Sequence, residues 1–115
     1  MQYLLLIYED ETIAQNLSEA EQGAHFKAYG EFTKGIAESG NLVGGDALEP
    51  VAAATSIRVR DGKVLATDGP FAETKEQLGG YYLIEAKDLD EATAIAAKIP
   101  TAATGCIEVR PILKF

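Results

Sequence analysis

The fold of this chain is decided by residues 68–85, DGPFAETKEQLGGYYLIE, where a tight turn leads into a strand. Pro70 fixes its own φ and keeps Gly69 out of helical geometry, so the segment opens with a turn. Gly80–Glu85 then carries apolar residues at both odd and even positions. That pattern is typical of a strand covered on both faces. The charged residues between them predict a loop, and loops anchored on a rigid scaffold often carry function.

Three further strands are predicted on either side of this segment. Gln2–Tyr8 is an almost continuous apolar run, and Leu42–Leu48 reads as a strand bent at two adjacent glycines. Cys106–Arg110 alternates between apolar and polar residues. Together with Gly80–Glu85, these segments supply four strands for one sheet.

A hairpin is predicted between the second strand and the turn. Asp61-Gly62 is a strong two-residue hairpin signal, flanked by Thr55–Arg60 and Lys63–Thr67. Alternation along the first of these strands predicts Ile57 and Val59 inward, with Arg58 and Arg60 outward and solvated.

Two helices are predicted from their capping residues and apolar spacing. Ser18 and Glu21 form a capping-box pattern that opens a helix running to about Ser39, before Gly40. One face of this helix collects His25, Tyr29, Phe32 and Ile36. The second helix starts near Asp88 and is stopped by Pro100, with a buried stripe of Leu89, Ala92, Ile95, Ala96 and Ile99.

Apart from the hairpin, this order is βαββαβ. It predicts a single α+β domain over residues 1–115, ferredoxin-like with an inserted β-hairpin. Two helices can cover only one face of a four-stranded sheet, yet the first strand and Tyr81–Ile84 are apolar on both faces. A second subunit packing sheet to sheet would cover the other face, so we expect a homodimer.

Composition limits the classes of partner and cofactor that the chain could bind. The chain has 115 residues, a single cysteine, a single histidine and a net charge of −8. The negative charge argues against nucleic acid and anionic membranes as partners. Because Cys106 is the only cysteine, the chain cannot form an internal disulfide. A reduced, cytoplasmic setting fits. One His and one Cys leave little for a soft-metal site, and no phosphate- or dinucleotide-binding fingerprint occurs, so we expect neither metal nor cofactor.

The turn-and-strand segment, with QYLLLIYED, NLVGGDALEP, ATSIRVRDGKV and GCIEVRP, resembles the DGPF family within the YCII-related group over nearly the whole chain. The resemblance implies the fold of the dimeric α/β-barrel superfamily. It also implies a His–Asp catalytic pair, for which His25 and Asp46 are the matching positions. Members of that family resemble proteins that often accompany extracytoplasmic-function sigma factors. The resemblance therefore also implies a regulatory role in which this chain acts as a separate molecule on a sigma-factor system.

His25 has two open interpretations. It is either a core histidine bonded to a neighbour or a general acid or base facing a pocket between helix and sheet, with Tyr29 beside it as a substrate contact. Asp46 is correspondingly either the partner of that histidine or an exposed residue at a strand end.

The charged loop carries the remaining candidates. Asp68 either caps its own turn through backbone N–H groups or orients His25 as a second catalytic carboxylate. Glu73 and Lys75 are candidate substrate contacts if they converge with Asp68 at a pocket mouth, where Lys75 could orient an anionic group. Two functions follow: a cofactor-independent lyase or isomerase acting on a small molecule, or a non-enzymatic ligand-binding or regulatory module.

Overall fold

The computed structural model describes all residues 1–115, which form six strands and three α-helices. The order along the chain is β1 (Gln2–Glu9), α1 (Glu11–Gln15), α2 (Glu19–Glu38), β2 (Leu42–Ala47), β3 (Thr55–Arg60), β4 (Lys63–Asp68), β5 (Gln77–Glu85), α3 (Leu89–Ala96) and β6 (Cys106–Pro111). Short 3₁₀ turns at Val51–Ala53 and Pro100–Ala103 complete the chain.

Four strands form one antiparallel sheet in the order β2-β5-β1-β6, and β3 and β4 pair separately as a two-stranded hairpin. The two central strands are therefore the first and third of the βαββαβ order, as in a ferredoxin-like fold. The predicted fold class is confirmed, including the hairpin inserted between β2 and β5.

The core lies between one face of the sheet and the helices. A single cluster of ten buried residues joins alternate positions of β1 and β5 to α2, α3 and the segment that follows α3: Tyr3, Leu5, Ile7, Ile36, Ile84, Ala86, Ala92, Ile95, Ala96 and Ile99. We call this the helix side of the sheet. The alternate residues Leu4, Leu6, Tyr81 and Leu83 point to the opposite surface, the open face, and are half-buried.

The helix boundaries follow the predicted caps. Ser18 accepts a hydrogen bond from the Glu21 N–H while the Glu21 carboxylate accepts one from the Ser18 N–H, which confirms the capping box. Gly40 takes a φ of 82°, as its place beyond the helix end requires. No helix combines the length and apolarity that crossing a membrane requires.

Helix α1 was not predicted, since five residues are too few to show a helical period. It begins at Asp10, whose carboxylate accepts hydrogen bonds from the Thr12 N–H at 2.9 Å and the Thr12 hydroxyl at 2.6 Å. These bonds hold the pKa of Asp10 below its ordinary value, with the side-chain bond from Thr12 as the largest cause. The turn directs the chain from the end of β1 back across the sheet.

Two predictions of burial are wrong. Ile57 and Val59 were expected inward, yet they are 57% and 55% exposed, because the hairpin pairs separately from the four-stranded sheet and contributes no residue to the core cluster. Leu89 was placed in the buried stripe of the second helix but is 54% exposed, since it occupies the first helical position, where the chain has only begun to cross the sheet. The Asp61-Gly62 turn itself is confirmed, with φ values of 52° and 73°.

Candidate functional site

A cavity of about 500 Å³ opens on the helix side, between α1, α2 and the ends of β1, β2 and β5. That volume is in the range of small-molecule sites. Its lining combines aliphatic and aromatic side chains with a few polar groups: Ile7, Glu9, Ala14, Leu17, Gln22, His25, Phe26, Tyr29, Thr33, Gly45, Asp46, Ala47, Gly79, Gly80, Tyr81 and Tyr82. Phe26 is 83% exposed and therefore lies at the mouth of this helix-side cavity.

Glycines of the edge strand β2 and of its neighbour β5 permit close strand packing next to the cavity. A Cβ at Gly45 would lie 2.6 Å from the Tyr81 carbonyl oxygen and 2.9 Å from the Tyr82 ring. A Cβ at Gly80 would lie 3.0 Å from the Asp46 carbonyl oxygen. Of the two adjacent glycines in β2, only Gly45 lacks room for a side chain, since a Cβ at Gly44 would contact nothing.

Two of the three tyrosines that line the cavity, Tyr29 and Tyr82, bond to threonines. The Tyr29 and Thr101 hydroxyls are 2.6 Å apart, and the Thr33 and Tyr82 hydroxyls are 2.7 Å apart. The pKa of Tyr29 is raised, first by burial and further by the nearby negative charge of Glu9, while the bond to Thr101 opposes the shift. Tyr29 therefore lines the cavity as a neutral phenol whose hydroxyl is already engaged.

Two polar side chains of the cavity have no hydrogen-bond partner in the protein. Neither the His25 ring nor the Glu9 carboxylate makes a hydrogen bond or an ion pair. The His25 ring packs edge-on against Tyr29, with ring centroids 4.9 Å apart. Both residues are half-buried, so they present free donor and acceptor atoms to the cavity.

Two glycines lie next to the Glu9 side chain. Its Oε1 lies 3.9 Å from the place a Cβ would occupy at Gly79, which is an ordinary contact distance. Its Cβ lies 3.2 Å from the corresponding place at Gly105, where a side chain would also overlap the Tyr8 carbonyl oxygen. A register shift after Ile7 accompanies this arrangement, because Ile7 pairs with Gly80 and Tyr8 with Leu78. Of the two glycines, only Gly105 is required by close packing in this region.

Asp46 lines the same cavity as His25, but no hydrogen bond joins the two residues. Its carboxylate accepts a hydrogen bond from the Tyr81 hydroxyl at 2.8 Å. Tyr81 and Asp46 face each other in the β2–β5 register, and Tyr81 points to the open face, opposite to Tyr82. The bond to Asp46 and its negative charge raise the pKa of Tyr81. The structure therefore brings His25 and Asp46 to one cavity with the Asp46 carboxylate engaged elsewhere.

The loop between β4 and β5 lines a different cavity. This second cavity, of about 590 Å³, lies on the other side of β1, between the loop, the 3₁₀ turn Val51–Ala53 and Tyr8. Pro70, Phe71 and Ala72 contribute to it, whereas Asp68, Glu73 and Lys75 are exposed and line neither cavity. The convergence of these three charged residues at a pocket mouth is not seen.

The loop is held by a small hydrogen-bond network at its two ends. The Ser56 hydroxyl donates to the Gly69 carbonyl, and the Gly69 N–H donates to the Ala54 carbonyl. The Gln77 side chain accepts from the Glu11 N–H and donates to the Thr74 carbonyl. The Asp68 carboxylate takes no part in this network, so it does not cap its own turn. The anchoring of the loop depends on uncharged groups.

Sequence reasoning missed Glu9, because it follows a buried strand and looks like the polar end of an apolar run. The available signal was its position at β1, two residues after the inward-facing Ile7, together with Gly79 and Gly105 elsewhere in the chain. Only the register of the sheet connects these positions. Among the His, Cys, Asp and Glu side chains, no group of three or more converges to hold a metal ion.

Comparison with known proteins assigns the family. A YCII-related domain model matches residues 1–115. The chain is also 39% identical over 117 residues to Uncharacterized protein R00369 of Rhizobium meliloti (strain 1021), an alignment that covers 100% of this chain and 94% of that protein. The match extends through the strands, helices and cavity residues described above. The chain belongs to the YCII-related family.

Proposed function

We propose that the chain is a small-molecule enzyme that works without a cofactor, with the helix-side cavity as its active site and His25 as its general acid or base. The observation that carries this proposal is the unengaged His25 ring inside a cavity whose other polar groups are mostly bonded to one another. A histidine exchanges protons near neutral pH and is the side chain most often used for this purpose. Proton abstraction, elimination and isomerisation are the reaction types that fit.

Glu9 is the carboxylate that best complements His25. It lies in the same cavity with both oxygens free, whereas the Asp46 carboxylate is bonded to Tyr81. Asp46, the partner implied by the family resemblance, would have to release Tyr81 and turn toward the helix side to act on the imidazole. Asp68, Glu73 and Lys75 do not line the cavity, so the proposed chemistry does not use them.

The enzyme proposal is tested by proton exchange on molecules that bind in the cavity. A fragment set is screened by NMR for compounds that shift the His25 ring signals, and each binder is then incubated in D₂O with the protein. We expect at least one binder to take up deuterium at a carbon-bound position with wild type and not with His25→Gln, which retains a polar side chain but has no group that acts as acid or base near neutral pH. Phe71→Leu, a change at the second cavity, is the matched control.

Two outcomes separate the alternatives. Deuterium uptake at the same rate with His25→Gln would contradict the role given to His25. Binding in the cavity with no exchange in any compound would instead favour a ligand-binding or regulatory module, the second function indicated by the sequence.

We also propose that the protein is a homodimer in which the open face meets a second copy. The radius of gyration is 16.1 Å, against about 13 Å expected for a compact domain of this length, and the chain measures 48 × 44 × 19 Å. On one side of the hairpin, Ile57, Val59 and Val64 are all more than half exposed. Leu4, Leu6 and Leu83 on the open face have no helix over them. These apolar groups support a sheet-to-sheet partner.

A further inference from the structure

We propose that the ligand of the helix-side cavity is a small, largely apolar molecule that carries a protonated amine, with Glu9 as the residue that binds the ammonium group. This inference rests on the proposed function, because it names the class of molecule on which His25 would act. It differs from the anionic substrate that the sequence indicated for Lys75.

The charges around the cavity are of one sign. Glu9 and Asp46 belong to its lining, and no lysine or arginine does. Of the two carboxylates, Asp46 is already bonded to a tyrosine hydroxyl, whereas Glu9 has no hydrogen-bond or ionic partner in the protein. A ligand with a carboxylate or phosphate would find no lysine or arginine to pair with and would face Glu9, and bringing like charges together is unfavourable.

The apolar part of the lining suits the same class. Phe26 lies at the mouth, and the rings of Tyr29 and Tyr82 lie deeper in the cavity. Because the hydroxyls of both tyrosines are bonded to threonines, these residues present ring surface rather than donors. Aromatic faces attract an ammonium group through their quadrupole and also cover the apolar body of a ligand.

The field of the whole molecule acts in the same direction. The net charge is −8, and three of the ten basic residues, Arg58, Arg60 and Lys63, lie on the hairpin. A strongly negative protein concentrates cations around it and repels anions, which raises the rate at which a cationic ligand arrives. The negative charge of the whole protein and the Glu9 carboxylate therefore both favour a positively charged ligand.

A matched set of three probes tests this inference: 2-phenylethylamine, 2-phenylethanol and phenylacetate. They share an aromatic body and differ in the charge of one end. Each is titrated into the protein at neutral pH while the His25 ring signals and the Gly79 and Gly80 amides are followed by NMR. We expect the amine to bind more tightly than the alcohol, and the alcohol more tightly than the acid.

Glu9→Gln isolates the contribution of the carboxylate, because it keeps the shape of the side chain. The variant should bind the amine about fivefold more weakly, as expected for loss of an ion pair that is partly open to water, and should bind the alcohol as tightly as wild type does. Glu76→Gln makes the same chemical change at a half-buried residue of the second cavity and should alter neither affinity. Thermal unfolding of both variants shows whether they fold as wild type does.

The outcomes distinguish this inference from the function on which it rests. Phenylacetate binding as tightly as the amine, or amine affinity unchanged in Glu9→Gln, would overturn the cationic ligand while leaving the cavity as a binding site. If none of the three probes moves the His25 signals, the cavity does not take small aromatic amines and this inference is overturned, while the fragment screen described above still decides the proposed enzyme.

Discussion

The helix-packed body of the molecule and its β3–β4 hairpin use similar residues in opposite ways. Leu5 and Ile84, in the sheet, are fully buried beneath α2 and α3. Ile57 and Val59, in the hairpin, have the same apolar character and strand conformation and are more than half exposed. Every residue of the core cluster belongs to the body, and none to the hairpin.

The difference shows that an alternating pattern identifies an apolar face without naming what covers it. In the body, the cover comes from helices of the same chain. On the hairpin, Ile57, Val59, Val64 and Ala66 share one face, with Arg58, Arg60 and Lys63 on the other, so the chain carries an apolar face with no internal partner. The hairpin is therefore the region where an interaction between molecules is expected to matter most.

The largest expected effect on stability comes from shortening a leucine of the body, and it is compared with the same change in the hairpin. Leu5→Ala removes a fully buried side chain and should lower the free energy of unfolding by about 2–5 kcal/mol, through lost burial and the cavity left behind. Leu65→Ala, on the basic face of the hairpin and 47% exposed, should change it by less than about 0.5 kcal/mol. Urea denaturation measures both. Equal losses would show that the hairpin is as tightly packed as the body.

A charge on the apolar face of the hairpin tests the proposed dimer. Ile57→Asp should raise the dimer dissociation constant by about tenfold or more, because a carboxylate would be buried in an apolar interface without a partner. Thr67→Asp adds the same charge on the opposite face of the hairpin and should leave assembly unchanged. Sedimentation velocity over a range of concentrations measures the effect. A wild-type chain that stays monomeric throughout would contradict the dimer.

A smaller effect compares hydroxyl groups on the two faces of the sheet. Tyr29→Phe removes the bond to Thr101, which is fully buried, and should cost about 1 kcal/mol, since the threonine hydroxyl loses its partner. Tyr81→Phe removes the bond to Asp46 at an exposed site, where water replaces it, and should cost less. The midpoints of thermal unfolding rank the two variants. The reverse order would mean that Tyr81 is more enclosed in the assembled protein than in the single chain.

The smallest expected effect is a dependence of the stability on acidic pH, which arises in helix α2 of the body. Hydrogen bonds from Ser18 hold the pKa of Glu21 below its ordinary 4.5. Since the pKa is lower in the folded than in the unfolded state, the contribution is present above pH 4.5 and is lost as the pH falls through the folded-state value.

Glu21→Gln should therefore reduce the fall in stability on acidification while leaving the helix in place. Glu19→Gln, also in the first turn of α2 but outside the capping box, is the matched control. Unfolding midpoints between neutral and acidic pH compare the two variants. Identical slopes for wild type and Glu21→Gln would show that the capping box carries no measurable pH dependence.

Much of the fold was readable because its signals are local. Caps at Ser18 and Asp88 place the long helices, and the Asp61-Gly62 turn places the hairpin. The short helix α1 escaped prediction, because a single turn has no period to detect. Of the candidate site, His25 and Tyr29 were found from the apolar face of α2, whereas Glu9 was not, because its place in the cavity depends on how β1 pairs with β5 and β6.

Capping, turn chemistry and apolar spacing act between near neighbours, so all six strands, the two longer helices and the ferredoxin-like order could be predicted from the sequence, whereas α1 could not. Which polar groups share a cavity depends instead on tertiary contacts. These contacts put Glu9 and His25 in the lining of one cavity, engaged Asp46 with Tyr81, and left Asp68, Glu73 and Lys75 out of the lining of both cavities. The positions of these side chains depend on strand register and on the path of a loop, which are set by contacts between residues far apart in the chain.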